Sequence, residues 1–164
     1  MTASLPDANA LIAQLAGAIA PTLTPDTLIV GIHTGGVWVA ERLHSLLQAR
    51  HPIGQLDISF YRDDFSRIGL HPQVKPSTLP FDLEGRDILL IDDVLHTGRT
   101  IRAAMNELFD YGRPASIKLA VLVDRGGREL PIRPDFAGLV FDVPAHQNIN
   151  LSRLDDGHLT LSLA

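Results

Sequence analysis

Residues 88–100 read ILLIDDVLHTGRT. Two adjacent carboxylates, Asp92 and Asp93, close an apolar run, and Thr97, Gly98 and Thr100 follow where a helix would begin. A helix start carries N–H groups without helical acceptors and the positive end of the helix dipole. With the hydroxyls of Thr97 and Thr100 added, the spacing makes a cradle for a phosphate dianion, and Gly98 lets the backbone come close to it. Carboxylates beside a phosphate repel it, so Asp92 and Asp93 must bind something else. Ribose hydroxyls are the natural partners, with Mg2+ as an alternative or addition. The ligand that satisfies both halves is a phosphorylated ribose. A solvated acidic loop followed by a capped helix would use the same residue types, but it does not require the buried run, the double acid and the T-G-x-T spacing to coincide. Neither G-x-x-x-x-G-K-[ST] nor G-x-G-x-x-G occurs, which excludes the Walker A loop and the dinucleotide fingerprint.

Such a constellation needs a strand to deliver the acids and a helix to receive the phosphate. Residues 87–91 read as that strand, 92–98 as the loop and 99–111 as the helix, with Gly112 and Pro114 placed to stop it. The same order occurs earlier: a β-branched run at 27–32, the glycine loop His33-Thr34-Gly35-Gly36, then a helical pattern from Val37 to Leu47. Residues 53–61 alternate as a half-buried strand. Residues 116–124 are continuously apolar, as expected of a parallel strand covered on both faces. Residues 8–20 form an amphipathic helix with no basic segment before it, so a signal peptide is not expected. The polar stretch 62–80, with Gly69, Pro72, Pro76 and Pro80, reads as a functional flap rather than a connector. Beyond Pro131 only short strand-like pieces remain, at 139–143, 148–151 and 158–163. The alternation predicts an α/β fold, a doubly wound, mainly parallel sheet with flanking helices, whose ligands bind outside the carboxyl ends of the strands.

Composition bounds the rest. The 164 residues are 45% hydrophobic and 20% charged with a net charge of −5, which fits one domain over residues 1–164. Zero cysteine excludes thiolate catalysis, Cys-ligated zinc and iron–sulfur clusters. Lys75 and Lys118 are the sole lysines, and the acidic balance argues against a general nucleic-acid binder. No apolar run approaches the roughly 20 residues of a membrane span, so a cytoplasmic protein is expected. The seven histidines include no H-E-x-x-H, and Trp38 reads as core packing rather than a stacking platform.

The run ILLIDDVLHTGRT resembles the phosphoribosyl pyrophosphate (PRPP) signature of the type I phosphoribosyltransferases. With Tyr61-Arg62-Asp63-Asp64, Gly112-Arg113-Pro114 and the run LVDRGGRELPIR at 122–133, it resembles the bifunctional PyrR family. Members are uracil phosphoribosyltransferases that in some bacteria also attenuate pyrimidine operon transcription by binding mRNA. The resemblance spans residues 27–138 and implies a type I phosphoribosyltransferase fold with a flexible flap and a small C-terminal hood.

It further implies that Asp92 and Asp93 hold the ribose hydroxyls and meet Mg2+, directly or through PRPP or water. Val94, Leu95, His96, Thr97, Gly98, Arg99 and Thr100 would then surround the 5′-phosphate, and His33, Thr34, Gly35 and Gly36 the pyrophosphate. Arg62 would belong to the flap, Arg125 would contact base or phosphate, and Ile149 would sit near the hood. Asp92, Asp93 and Arg125 are the residues expected to matter most to catalysis. For a general base, Asp93 and Asp124 are candidates, although ribose binding and a strand-end turn suit them better. Many relatives carry an arginine where this chain has Gly35, a loss that His33, Arg62 or Arg67 could offset. The implied reaction is uracil and PRPP, with Mg2+, giving UMP and pyrophosphate, in a homo-oligomer. Two alternatives stand beside it: an RNA-binding pyrimidine regulator with little or no catalysis, and a purine-base phosphoribosyltransferase. Arg125, Arg128 and Arg133 could form one face for RNA or a cluster for an anionic substrate.

Overall fold

The structure is a computed structural model that describes residues 4–58 and 77–164. Five strands, β1 (Leu28–Ile32), β2 (Gly54–Leu56), β3 (Asp87–Leu95), β4 (Ser116–Asp124) and β5 (Phe136–Val140), form one sheet in the order β2-β1-β3-β4-β5. All its neighbours pair in parallel. The side chains of a strand alternate between faces, and both faces are covered. Ile29, Leu89, Ile91, Ala120 and Leu122 meet helices α1 (Ala8–Ile19) and α2 (Gly35–Leu47) on one side. Val30, Ile32, Ile88, Leu90 and Val121 meet α3 (Arg99–Tyr111) on the other, through Ile101, Ala104 and Leu108. Coverage on both sides is why the central strands read as unbroken apolar runs.

Helix α1 starts where the Asp7 carboxylate accepts from the Ala10 N–H at 3.0 Å. It buries Ala8, Leu11, Ile12, Leu15 and Ile19 at helical spacing. A short 3-10 turn, Ala20–Thr22, then carries Pro21. The C-terminal segment forms a separate antiparallel hairpin of β6 (Ile149–Arg153) and β7 (Leu159–Leu163). This hood docks on the α1/α2 side: Ile149, Leu151 and Leu159 enter that core, Arg42 donates to the Gly157 carbonyl, and the Arg153 guanidinium lies 5.0 Å over the Trp38 ring. Trp38 is half-buried against the same core, as its helical position predicted.

Several boundaries differ from the sequence expectation. Strand β3 does not stop at Ile91 but continues to Leu95, because β4 is equally long and pairs with it as far as Leu95 opposite Asp124. The two acids are therefore strand residues, not loop residues. Helix α2 begins at Gly35 rather than Val37. The strand expected over 53–61 is limited to Gly54–Leu56 within the described residues, and the piece expected at 139–143 is β5, aligned by its pairing with β4. Most of the expected flap, including Arg62 and Arg67, lies outside the described residues. Its far end is pinned where Thr78 and Gln55 exchange backbone hydrogen bonds of 2.8 Å each. Among the described residues no helix is long and apolar enough to cross a membrane.

Candidate active site

The sheet changes direction between β1 and β3. The crossover from β1 leads outward to β2, whereas that from β3 leads the opposite way to β4, which opens a crevice at the carboxyl ends of β1 and β3. The glycine loop after β1 and the acids of β3 meet in this crevice. A Cβ on Gly36 would stand 2.7 Å from the Ile91 carbonyl oxygen and 3.2 Å from Asp92 Oδ1. A Cβ on Gly35 would run into the Asp93 carboxylate, with Asp93 Cγ at 2.7 Å. The backbone of the loop thus lies directly on the acids, and a side chain at Gly35 would have to displace the Asp93 carboxylate. The His33–Thr34 peptide, just before the helix, is cis. The His33 ring is held by Gln55 Oε1 at 2.8 Å from Nε2.

Asp92 is 6% exposed, and its Oδ1 accepts from the Asp93 N–H at 2.8 Å; Asp93 Oδ1 accepts from the Val94 N–H at the same distance. Val94 and Leu95 pack toward opposite cores, Leu95 buried and Val94 partly so. Beyond them Thr97 Oγ1 accepts from the Arg99 N–H at 3.2 Å, and Gly98, at φ 93°, takes a left-handed turn before α3. Thr100 is half-buried in the first turn. The acids therefore lie a few residues from the N-terminus of a 13-residue helix, whose first N–H groups have no helical acceptors. That is an anion cradle beside a pair of hydroxyl acceptors.

The back of this loop is built by contacts that sequence reasoning did not foresee, although it named Asp124, Arg128 and His96. The Asp124 carboxylate receives Arg128 Nη2 at 2.7 Å and the Gly126 N–H at 3.1 Å. Burial pushes the Asp124 carboxyl up, but the Arg128 hydrogen bond, the Gly126 N–H and the Arg128 charge outweigh it and hold it below the usual carboxylate range. A carboxylate so engaged is a poor proton acceptor. The His96 ring lies against Gly127, where a Cβ would come within 2.8 Å of Cδ2 and Nε2. Burial, Arg125 and Arg128 lower its pKa against the opposing charge of Glu129, so the imidazole is neutral near pH 7.

Arg125 differs most from what its sequence context suggested. It is only 4% exposed, and its guanidinium donates to the carbonyls of Gln147 at 2.8 Å, Pro144 at 3.2 Å and Val143 at 3.5 Å. Its fork holds the chain that leads into the hood. Ile149, at the start of β6, is buried in the α1/α2 core. Arg99 is exposed and pairs with Glu129 at 2.9 Å. Since Arg125 and Arg128 both turn inward, Arg133 alone of the expected basic trio is exposed. The spacing D-x-x-x-R from Asp124 to Arg128 was the one sequence signal for the ion pair; nothing local pointed to Gln147.

Comparison with known proteins gives a consistent result. The family model described as the phosphoribosyl transferase domain matches residues 2–148. The chain is 54% identical over 153 residues to the bifunctional protein PyrR of Pseudomonas fluorescens, covering 91% of each. It is 58% identical over 129 residues to the protein of the same name from Nitrosococcus oceani, covering 77% of this chain and 73% of the relative. Among solved structures, a hypoxanthine phosphoribosyltransferase from Staphylococcus aureus superposes with a TM-score of 0.67 at 20% identity, over 89% of this chain and 80% of that one. A hypoxanthine-guanine-xanthine phosphoribosyltransferase superposes with a TM-score of 0.64 at 21% identity, over 87% and 80%. At these identities the structural likeness speaks for the fold alone.

Proposed function

Because the chain belongs to the PyrR family and has the type I phosphoribosyltransferase fold, we propose that it transfers the phosphoribosyl group of PRPP to uracil, giving UMP and pyrophosphate. The observation that carries this reading is the meeting of the Gly35-Gly36 backbone with Asp92 and Asp93 at the β1/β3 crevice, next to the anion cradle of α3. Asp92 and Asp93 accept from the ribose hydroxyls, the start of α3 holds the 5′-phosphate, and the backbone of Thr34, Gly35 and Gly36 receives the pyrophosphate. As the bond from C1′ to pyrophosphate breaks, the electron pair leaves with pyrophosphate. The lone pair of uracil N1 forms the new bond to C1′, through a transition state of oxocarbenium character, and the N1 proton passes to water or to the released pyrophosphate. The chain contributes by holding the two reactants in line and by donors aimed at the charge that develops on the leaving group.

Hard carboxylate oxygens at a strand end suit Mg2+. Among the described residues no three His, Cys, Asp or Glu side chains gather around one point. Asp92 and Asp93 would hold the ion, directly or through PRPP or water, and it would supply positive charge to the pyrophosphate side of the site. We read the protein as a cytoplasmic enzyme that works as a homo-oligomer.

The test is UMP formation from uracil, PRPP and Mg2+, with hypoxanthine and guanine as competing bases. Asp92→Asn and Asp93→Asn should each lower turnover by about a hundredfold or more. Wild-type rates in both variants would overturn the site, and preference for a purine base would overturn the substrate. The second activity in the reading of this family is UMP-dependent regulation through a pyrimidine leader transcript, and the name bifunctional, carried by the relatives, favours it. Filter retention of such a transcript, with and without UMP at fixed salt, decides it: absence of a UMP-enhanced complex removes the regulatory half.

A further inference from the structure

The phosphate loop has two sides. Its N–H groups at the start of α3 lack helical acceptors, and its carbonyls need partners of their own. The segment after β4 supplies them. The His96 carbonyl accepts from Arg128 Nη1 at 3.0 Å, and the Thr97 carbonyl accepts from the N–H groups of Glu129 at 2.9 Å and Leu130 at 3.1 Å. Ile132 and Leu130 close over Gly98, their Cβ atoms 3.2 and 3.4 Å from where a Cβ on Gly98 would stand.

Arg128 is the centre of this backing. Its three guanidinium nitrogens go to three acceptors on three pieces of chain: Nη2 to Asp124 at the end of β4, Nη1 to the phosphate loop, and Nε to the Ile132 carbonyl at 2.7 Å. A planar, permanently charged group with donors in fixed directions can do this, whereas a lysine ammonium on a flexible stem cannot reproduce the set. β4 is itself locked to β3 as far as Leu95 opposite Asp124. A rigid path therefore runs from the sheet through Asp124 and Arg128 to the peptide between His96 and Thr97.

We propose that Arg128, held by Asp124, is the positioning residue of the phosphate loop: it fixes the His96 carbonyl, and with it the peptide into Thr97, so that the N–H groups at the start of α3 converge on the 5′-phosphate. Arg128 does not touch the ligand. The proposal rests on the phosphate-cradle half of the proposed function and is independent of which base is used.

The experiment compares binding of ribose 5-phosphate with binding of Mg-pyrophosphate, by calorimetry, in the full chain and its Arg128→Met, Arg128→Lys and Asp124→Asn variants. Arg128→Met should weaken ribose 5-phosphate by roughly a hundredfold, the scale of a misplaced binding group. Mg-pyrophosphate, held at the other loop, should stay within about twofold, which general loosening of the fold would not spare. In steady state the KM for PRPP should rise far more than kcat falls. Arg128→Lys should recover part of the loss, and amide exchange at residues 97–100 should quicken in both Arg128 variants. If the Met variant does not fold, the Lys and Asn variants carry the same comparison. Unchanged ribose 5-phosphate affinity in a folded variant overturns the proposal, as does equal loss of both ligands, or failure of the wild-type chain to bind ribose 5-phosphate. A wild-type chain that binds ribose 5-phosphate but does not turn over uracil overturns only the choice of base.

Discussion

Arg125 Nη1 donates to the backbone carbonyl of Gln147 at 2.8 Å, tying the residue that follows β4 to the loop that leads into the hood. Three residues further on, Arg128 grips the phosphate loop. One short turn thus holds the segment leading into the hood and the loop before α3 from a single strand end, and the two arginines of the D-R-G-G-R run have divided the work. The expected outcome of breaking each part follows from its contacts.

Replacing Arg125 by Met leaves the carbonyls of Gln147, Pro144 and Val143 without their buried donor. A hydrogen bond from a charged group is worth about 1.5–3 kcal/mol and the contacts are shared, so Arg125→Met should cost about 2–4 kcal/mol. Urea denaturation measures it, and amide exchange over residues 143–149 should quicken. A loss below about 0.5 kcal/mol would show that the hood is held by its apolar side alone.

Adding a methyl group at Gly35 places Cβ in the space of the Asp93 carboxylate, which must rotate away from its place in the crevice. Gly35→Ala should raise the KM for PRPP by about tenfold, equivalent to about 1.4 kcal/mol of binding, while the melting temperature moves little. Gly35→Arg meets the same obstacle before its guanidinium can help. An unchanged KM in the Ala variant would mean that Asp93 does not need its present position.

Two windows of pH dependence follow. The folded pKa of His96 lies below its ordinary 6.5, so on acidification the unfolded chain takes up the proton first. Stability from this group is complete above 6.5 and falls as pH drops toward the folded value. The folded pKa of Asp124 lies below its ordinary 3.8, so its stabilisation is present above 3.8 and is lost as pH falls through the folded value. His96→Asn should flatten the upper limb of a plot of melting temperature against pH, and Asp124→Asn the lower one. Parallel wild-type and variant curves would reject the corresponding assignment.

Trp38 is the single tryptophan of the chain and lies under Arg153 of the hood, 5.0 Å from guanidinium carbon to ring centre. Its fluorescence therefore reports on hood docking. Arg153→Ala should shift the emission to the red as water reaches the indole, at a cost of about 0.5–1 kcal/mol. An unchanged spectrum would place the hood elsewhere in solution.

The order strand, glycine loop, helix was legible twice in the sequence because both stretches are locally complete. Each apolar run must be buried on two faces, and each leads into a glycine-containing turn before its helix. The paired acids and the T-G-x-T spacing were legible for the same reason, since a phosphate cradle is made by consecutive residues at one helix start. The extent of β3 was not. Its last four residues, Asp92 to Leu95, are strand because β4 runs beside them, and pairing is a property of two segments.

The arginines show the limit most clearly. Arg125 and Arg128 stand three residues apart in one run, and composition alone allowed a ligand cluster or an RNA face. Tertiary structure turned both inward, because the chain returns at residues 143–147 above one and at the phosphate loop beside the other. An arginine side chain has many rotamers and several donors, so its direction is set by whichever carbonyls the fold brings within reach. The sequence by itself determined which chemistry the crevice can hold, since that depends on neighbours along the chain. Only the tertiary structure decided which arginines turn inward to hold the walls, since burial rewards a guanidinium for satisfying distant carbonyls that no local pattern specifies.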